Sequence, residues 1–175
     1  MHRVLGIDPG VSETGWAVLE QVPPGAPRLL ASGLIKTRPD TELPERLRLI
    51  HQALTAIIAE HAPQSVAVEE MFFVKVANTI RATLQARGVV LLAAAQAGKE
   101  VREYNPRTVK LAITGSGSAE KAQMQTVVMK VLGLAERLRP DDVADAAAIG
   151  LCHLRSLRHT RLKVLDSFGG KRRLP

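Results

Sequence analysis

Four carboxylates stand where a folded chain has to account for them. Asp8 ends the apolar run of "VLGIDPGVSETGWAVLE", Glu69 ends "SVAVE", and Asp142 and Asp145 sit three apart in "DDVADAAAIGL". Asp145 is the sharpest case, because nearly all its neighbours are small and apolar. A buried, unpaired carboxylate costs several kcal/mol or takes up a proton. Asp142 and Asp145, at i and i+3, share one face of a helix. Each acid taken alone has an ordinary reading: Asp141 and Asp142 suit the positive end of a helix, and Asp145 could meet an arginine. All four at strand ends, or on one helix face near them, point instead to convergence. Converging carboxylates repel unless a cation sits between them. Oxygen donors suit Mg²⁺ or Mn²⁺, and no His/Cys spacing competes for zinc. In a two-ion site one ion activates water and the other stabilises the leaving oxygen of a phosphoryl displacement.

The rest of the chain must carry that pit to a substrate. Its 175 residues allow one sizeable core, and a net charge of +7 with pI near 10.1 points to a polyanion. The excess falls in two regions. Residues 71–135 hold nine Lys/Arg against three acids, and residues 146–175 hold seven against Asp166 alone. An acidic metal pit in a basic protein is the electrostatic layout of a nuclease. No apolar run reaches the roughly 18 residues of a membrane span, and no secretory signal is expected. The lone Cys152 reads as a packed thiol in a reducing cytoplasm.

Hydrophobic periodicity supplies the positioning elements. Residues 3–8 and 15–20 read as a hairpin, 28–37 as a third strand, and 65–72 and 100–104 as two more. Helices are expected from Pro44 to about His61 and from Asn78 to Gln96, the latter closed by Gly98. "PRTVKLAI" reads as a helical turn, Ser118 as the cap of a helix in "AEKAQMQTVVMKVLG", and Pro140 as the opening of a last helix through "DDVADAAAIGLCHL". Three strands in a meander followed by strand–helix alternation predict a single α/β domain with a mixed five-stranded sheet flanked by helices. Its expected extent is 1–157, with a basic, flexible tail over 158–175.

In that frame "GIDPGVSETGWA", "AVEEMFFVK", "QARGVVLLAAA", "EYNPRTVK", "GSAEK" and "DDVADAAAIG" resemble, in order and spacing, the RuvC family of bacterial Holliday junction resolvases. The resemblance implies a ribonuclease H-like fold, a homodimer, two Mg²⁺ ions per site (Mn²⁺ able to substitute), and paired nicks in four-way junction DNA that leave a 5′-phosphate. It implies the RuvA–RuvB branch-migration complex as partner. By motif position Asp8, Glu69, Asp142 and Asp145 match the catalytic, metal-binding acids. Glu70 is the alternative to Glu69, since adjacent strand residues face opposite ways. Lys121 matches a lysine beside the scissile phosphate, where it can bind and also neutralise developing charge, and Lys110 matches a second basic residue there.

Phe72 and Phe73 directly follow the Glu pair in a chain with five aromatics. "MFFV" would ordinarily be core. Beside a metal pit it suits a wedge stacking on an unpaired base, with Phe72 matching the family's aromatic. Lys75, Asn78 and Arg81 would then flank a DNA groove and contact phosphates. Two positions depart from the family pattern: Leu84 stands for a usual Gly, and Val76 for a usual Asn. Three rival readings remain weaker. An actin/hexokinase-type ATPase needs a second lobe, a non-catalytic junction binder would not keep four acids, and an RNA-processing ribonuclease H-like enzyme would not carry "GSAEK" with "EEMFF".

Overall fold

Alternation along β1 (His2–Asp8) decides which side of the sheet each residue serves. Val4 joins one apolar core, while Leu5 and Ile7 join the other. A period of two therefore carries Gly6 and Asp8 to the side of Val4. After the Pro9-Gly10 turn, β2 (Glu13–Gln21) pairs antiparallel with β1, and β3 (Arg28–Lys36) pairs antiparallel with β2. β4 (Ser65–Glu69) and β5 (Glu100–Tyr104) add in parallel on the other edge, giving the order β3-β2-β1-β4-β5. The expected mixed five-stranded sheet is present. This computed structural model describes residues 1–70 and 78–169, the side chains of 78–80 and 158–169 excepted.

Helices cover both faces. α1 (Leu43–His61) has Pro44 in its first turn and buries Ile50, Leu54 and Ile58. With α2 (Asn78–Gln96) it covers the Leu5–Ile7 side. α3 (Pro106–Thr114), α4 (Lys121–Val131) and α5 (Asp141–Gly169) cover the Val4 side. α5 lies against β1 and β2 because glycines leave it room. A Cβ on Gly6 would fall on the Ala146 carbonyl oxygen and 2.8 Å from Gly150 N, and one on Gly15 would fall on the Asp142 carbonyl. The same helix carries two of the four acids, so these glycines set their height above the sheet.

Three boundaries differ from expectation. The "PRTVKLAI" segment is a nine-residue helix, because Asn105 Oδ1 accepts from Arg107 N (2.8 Å) and Gly115 closes it at φ 81°. Ser118 does not cap α4. The N-cap is Glu120, and the Ser118 hydroxyl pairs with Ser116 Oγ at 3.1 Å. α5 runs on to Gly169, past Leu154, where the last helix was expected to end. The expected end of β4, at 71–72, lies outside the described residues.

A polar network links the N-terminal ends of β1 and β4 to α5 and to Tyr104 of β5. Ser65 Oγ lies 2.9 Å from His2 Nε2 and 2.8 Å from His153 Nε2, and His153 Nδ1 lies 2.7 Å from Tyr104 Oη. Burial, with His2 beside it, pushes the His153 imidazole down to about 4. The opposite, C-terminal end of those strands is where the acids lie.

Candidate active site

Strand register brings the first two acids together. Ile7 is paired with Val68 across the parallel β1–β4 ladder, so the next residues, Asp8 and Glu69, leave the sheet side by side. In β4, Ala67 belongs to the same core as Val4, and Val66 and Val68 to the other. Glu69 therefore emerges on the Asp8 side. Glu70 follows with the opposite sense, its backbone N–H donating to Tyr104 O at 2.8 Å.

The first turns of α5 bring the other pair. Burial pushes the Asp8 carboxyl up to about 7, and the charges of Glu69, Asp145 and Asp142 push it the same way against Lys121. Burial and Asp145 raise Glu69, with Lys110 and Lys121 opposing. Asp145 is raised by burial despite Lys121, whose Nζ donates to Asp145 Oδ2 at 3.0 Å. Burial alone would lower the Lys121 ammonium, but the hydrogen bond and charge of Asp145, joined by Asp141, outweigh it and raise it.

Asp145 Oδ1 is buried with no hydrogen-bond partner. Such an atom costs several kcal/mol unless something positive meets it. Four mutually repelling carboxylates with one orphaned oxygen fit a divalent cation bound through oxygen. Among the described residues no three Asp, Glu, His or Cys side chains are already drawn round one point.

Two participants had no place among the expected site residues. Asp141 Oδ1 accepts from Gln125 Nε2 at 2.8 Å, and its Oδ2 lies 3.4 Å from Lys121 Nζ. Gln125 is buried, so this pair anchors the lysine from behind. The i, i+4 spacings 121/125 on α4 and 141/145 on α5 were the available signal. Asp145 meets this lysine and not the arginine of its ordinary reading.

Glu69, Lys110, Lys121 and Asp145 line a cavity of about 170 Å³ together with apolar Val109, Met124 and Ile149. Acids that repel, beside two lysines that offset them, have the chemistry to receive a phosphodiester and a cation.

Comparison with known proteins agrees with this chemistry. Residues 4–153 match the family model "Crossover junction endodeoxyribonuclease RuvC".

The chain belongs to the RuvC family.

The RuvC endonuclease of Salinispora arenicola is 49% identical over 152 residues, covering 87% of each chain. That of Chloroflexus aggregans is 50% identical over 151 residues, covering 86% of this chain and 92% of the relative. Among solved structures, Thermus thermophilus RuvC in complex with Holliday junction substrate superposes with a TM-score of 0.87 at 37% identity, covering 91% and 97% of the two chains. The yeast mitochondrial resolvase Ydc2, at 16% identity and TM-score 0.69, shares the fold. The fold is thus ribonuclease H-like, as the motifs implied.

The remaining expected contacts of this RuvC-family chain divide by position. Lys110 and Lys121 border the acids. Phe72, Phe73, Lys75 and the departure Val76 lie outside the described residues, and only the backbone of Asn78 is described. Arg81 is exposed in the first turn of α2, and Leu84 is half-buried one turn later. Neither lines the cavity beside the acids.

Proposed function

We propose that this junction-resolving endonuclease hydrolyses DNA at the Asp8–Glu69–Asp142–Asp145 pit, cutting two opposed strands of a four-way junction. The observation that carries the reading is the orphaned Asp145 oxygen among three further acids, beside a lysine with two carboxylate partners. The four acids would hold two Mg²⁺ ions, with Mn²⁺ able to replace them. When bound, the ions lower the pKa of the attacking water and offset charge on the leaving oxygen. Asp8 and Glu69 hold the sheet side of the site and Asp142 and Asp145 the helix side. Lys121, oriented by Asp145 and Asp141, offsets charge on the phosphate as it develops, and Lys110 adds a second cation at the rim. The products are a 5′-phosphate and a 3′-hydroxyl.

The exposed stripe of α2 (Gln85, Gly88, Leu92 and Ala95) supports a homodimer. Leu92 is 51% exposed, and nothing lies within 4 Å of where a Gly88 side chain would be. Two copies would present paired sites to opposed strands, with Phe72 as the base-stacking wedge, Phe73 beside it, and Lys75, Asn78 and Arg81 on phosphates. The RuvA–RuvB complex is the proposed partner, and the cytoplasm the proposed compartment. The latter is supported by the DNA substrate and the buried, unpaired Cys152. Among the described residues no helix is long and apolar enough to cross a membrane.

A labelled mobile junction and a matched linear duplex, each in Mg²⁺, Mn²⁺ and EDTA, test this. Paired symmetric nicks in the junction alone, abolished by EDTA and ending in 5′-phosphate, are expected. Cutting in EDTA, or equal cutting of the duplex, would refute it. Asp141→Ala, which loosens Lys121, is expected to lower single-turnover cleavage about tenfold with junction affinity unchanged, the value of one charge-assisted hydrogen bond. A wild-type rate would show that Asp145 alone positions the lysine.

A further inference from the structure

A second groove, of about 520 Å³, opens on the other side of the acids. Asp142 lines it together with Gly10, Ser12, Lys36, Arg46 and Thr83. The acid cluster thus lies between two cavities, Glu69 and Asp145 facing one and Asp142 the other. Lys36 is paired with Glu13 at 3.1 Å, and that carboxylate also borders the groove, so the two charges there offset each other.

Arg46 differs. It sits half-buried in the first turn of α1, and among the described residues no carboxylate lies within 4 Å of its guanidinium. Its hydrogen-bond partners are two neutral hydroxyls: Nε donates to Thr37 Oγ1 at 2.7 Å and Nη2 donates to Ser12 Oγ at 2.8 Å. The buried Thr37 hydroxyl gives its own proton to Val11 O at 2.6 Å, which leaves its lone pairs for Arg46. The guanidinium is therefore held in one orientation by groups that do not neutralise it. Nη1 has no protein acceptor among the described residues. A rigid, uncompensated fork in a polar groove is suited to two oxygens of one phosphate. By contrast, Arg3 and Arg28 both spend their charge on the buried Glu20 carboxylate.

We infer that Arg46, braced by Ser12 and Thr37, is a subsite for a backbone phosphate of the cut strand, on the Asp142 side of the acids. This rests on the junction-endonuclease reading. A strand with its scissile phosphate over the four acids has one cavity on each side. Lys110 and Lys121 supply cations in the first, and Arg46 supplies the uncompensated one in the second. Its effect falls on affinity and on strand placement, with no preference for sequence.

The test is junction affinity of the full chain in EDTA, by fluorescence anisotropy, across a series of KCl concentrations. Arg46→Gln is expected to weaken binding about tenfold and to reduce the slope of log Kd against log salt by about one, the signature of one lost phosphate contact. Arg46→Lys is expected to keep the slope with a smaller loss of affinity. An unchanged slope in a folded Arg46→Gln, whatever its melting temperature, would reduce Arg46 to a brace between Thr37 and Ser12 and overturn the subsite. A slope lost in Arg46→Lys as fully as in Arg46→Gln would do the same. A wild-type protein that binds the junction but never cuts it would sink the endonuclease reading separately and leave the slope comparison readable.

Discussion

Asp8→Asn is expected to abolish cleavage while making the metal-free protein more stable at pH 8. The native carboxyl of Asp8 titrates near 7 against an ordinary value of 3.8, because it is buried and faces Glu69, Asp145 and Asp142. Between about pH 4 and pH 7 the native state therefore holds a proton that the unfolded chain has released. Stability falls as pH rises through that window, and the deficit is complete above the native pKa. Asparagine removes the charge and with it a deficit of about 4 kcal/mol, or roughly 8–16 °C in melting temperature. The same change removes an anionic oxygen from the proposed ion-binding site. Loss of several kcal/mol of charge stabilisation predicts a cleavage rate down by about 10³-fold or more, with junction binding retained. Melting curves at pH 5 and pH 8 with EDTA check the first half, and single-turnover cleavage checks the second. A variant that melts below wild type at pH 8, or that still cuts at a comparable rate, would show that Asp8 is not at the centre of a repelling cluster.

Gly15→Ala is expected to damage both the fold and the chemistry from a residue with no functional group. A methyl there would overlap the Asp142 carbonyl and lie 2.9 Å from Asp142 Cβ. The obstacle is backbone on both sides, β2 and the first turn of α5, so no flexible side chain can yield. Overpacking of this kind costs about 1–3 kcal/mol. To relieve it the start of α5 must lift from the sheet, carrying Asp142 and Asp145 away from Asp8 and Glu69. Displacement of about 1 Å in such a constellation costs on the order of 10²-fold in rate. Cleavage measured well below the melting temperature should therefore fall further than any loss of folded protein explains. Full activity in a folded Gly15→Ala would mean that α5 does not set the height of its acids by this contact. At Gly133, by contrast, nothing lies within 4 Å of the added carbon, and only its φ of 65° resists substitution.

Much of this architecture was legible in local pattern. The two strands of the opening hairpin, Pro44 in the first turn of α1 and Gly98 after α2 are short-range signals, read from a few neighbouring residues. Less visible were the length of α3, which depends on Asn105 and Gly115 acting together, and the start of α4. Ser118 has the chemistry of a cap. Its hydroxyl instead pairs with Ser116, and α4 begins at Lys121 without a side-chain cap. Continuation of α5 to Gly169 is harder to read, because the cations Arg155, Arg158, Arg161 and Lys163 interrupt the apolar spacing that Leu154, Leu157, Leu165 and Phe168 otherwise continue.

Residue types and spacing alone identify the acids, their placement at strand ends and on one helix face, the basic character of the molecule and, through six ordered motifs, its family. That Glu69 emerges on the Asp8 side of the sheet becomes visible with the β1–β4 pairing and with the core that each face of β4 enters. Only the tertiary structure decided that Asp141 and Gln125 hold Lys121, and that Arg46 is held by hydroxyls in place of a carboxylate. The difference is one of range. Periodicity and capping act over a few residues, whereas register, helix height and the partner of a charge are set by segments 9 to 88 positions apart that meet only when the sheet and helices pack.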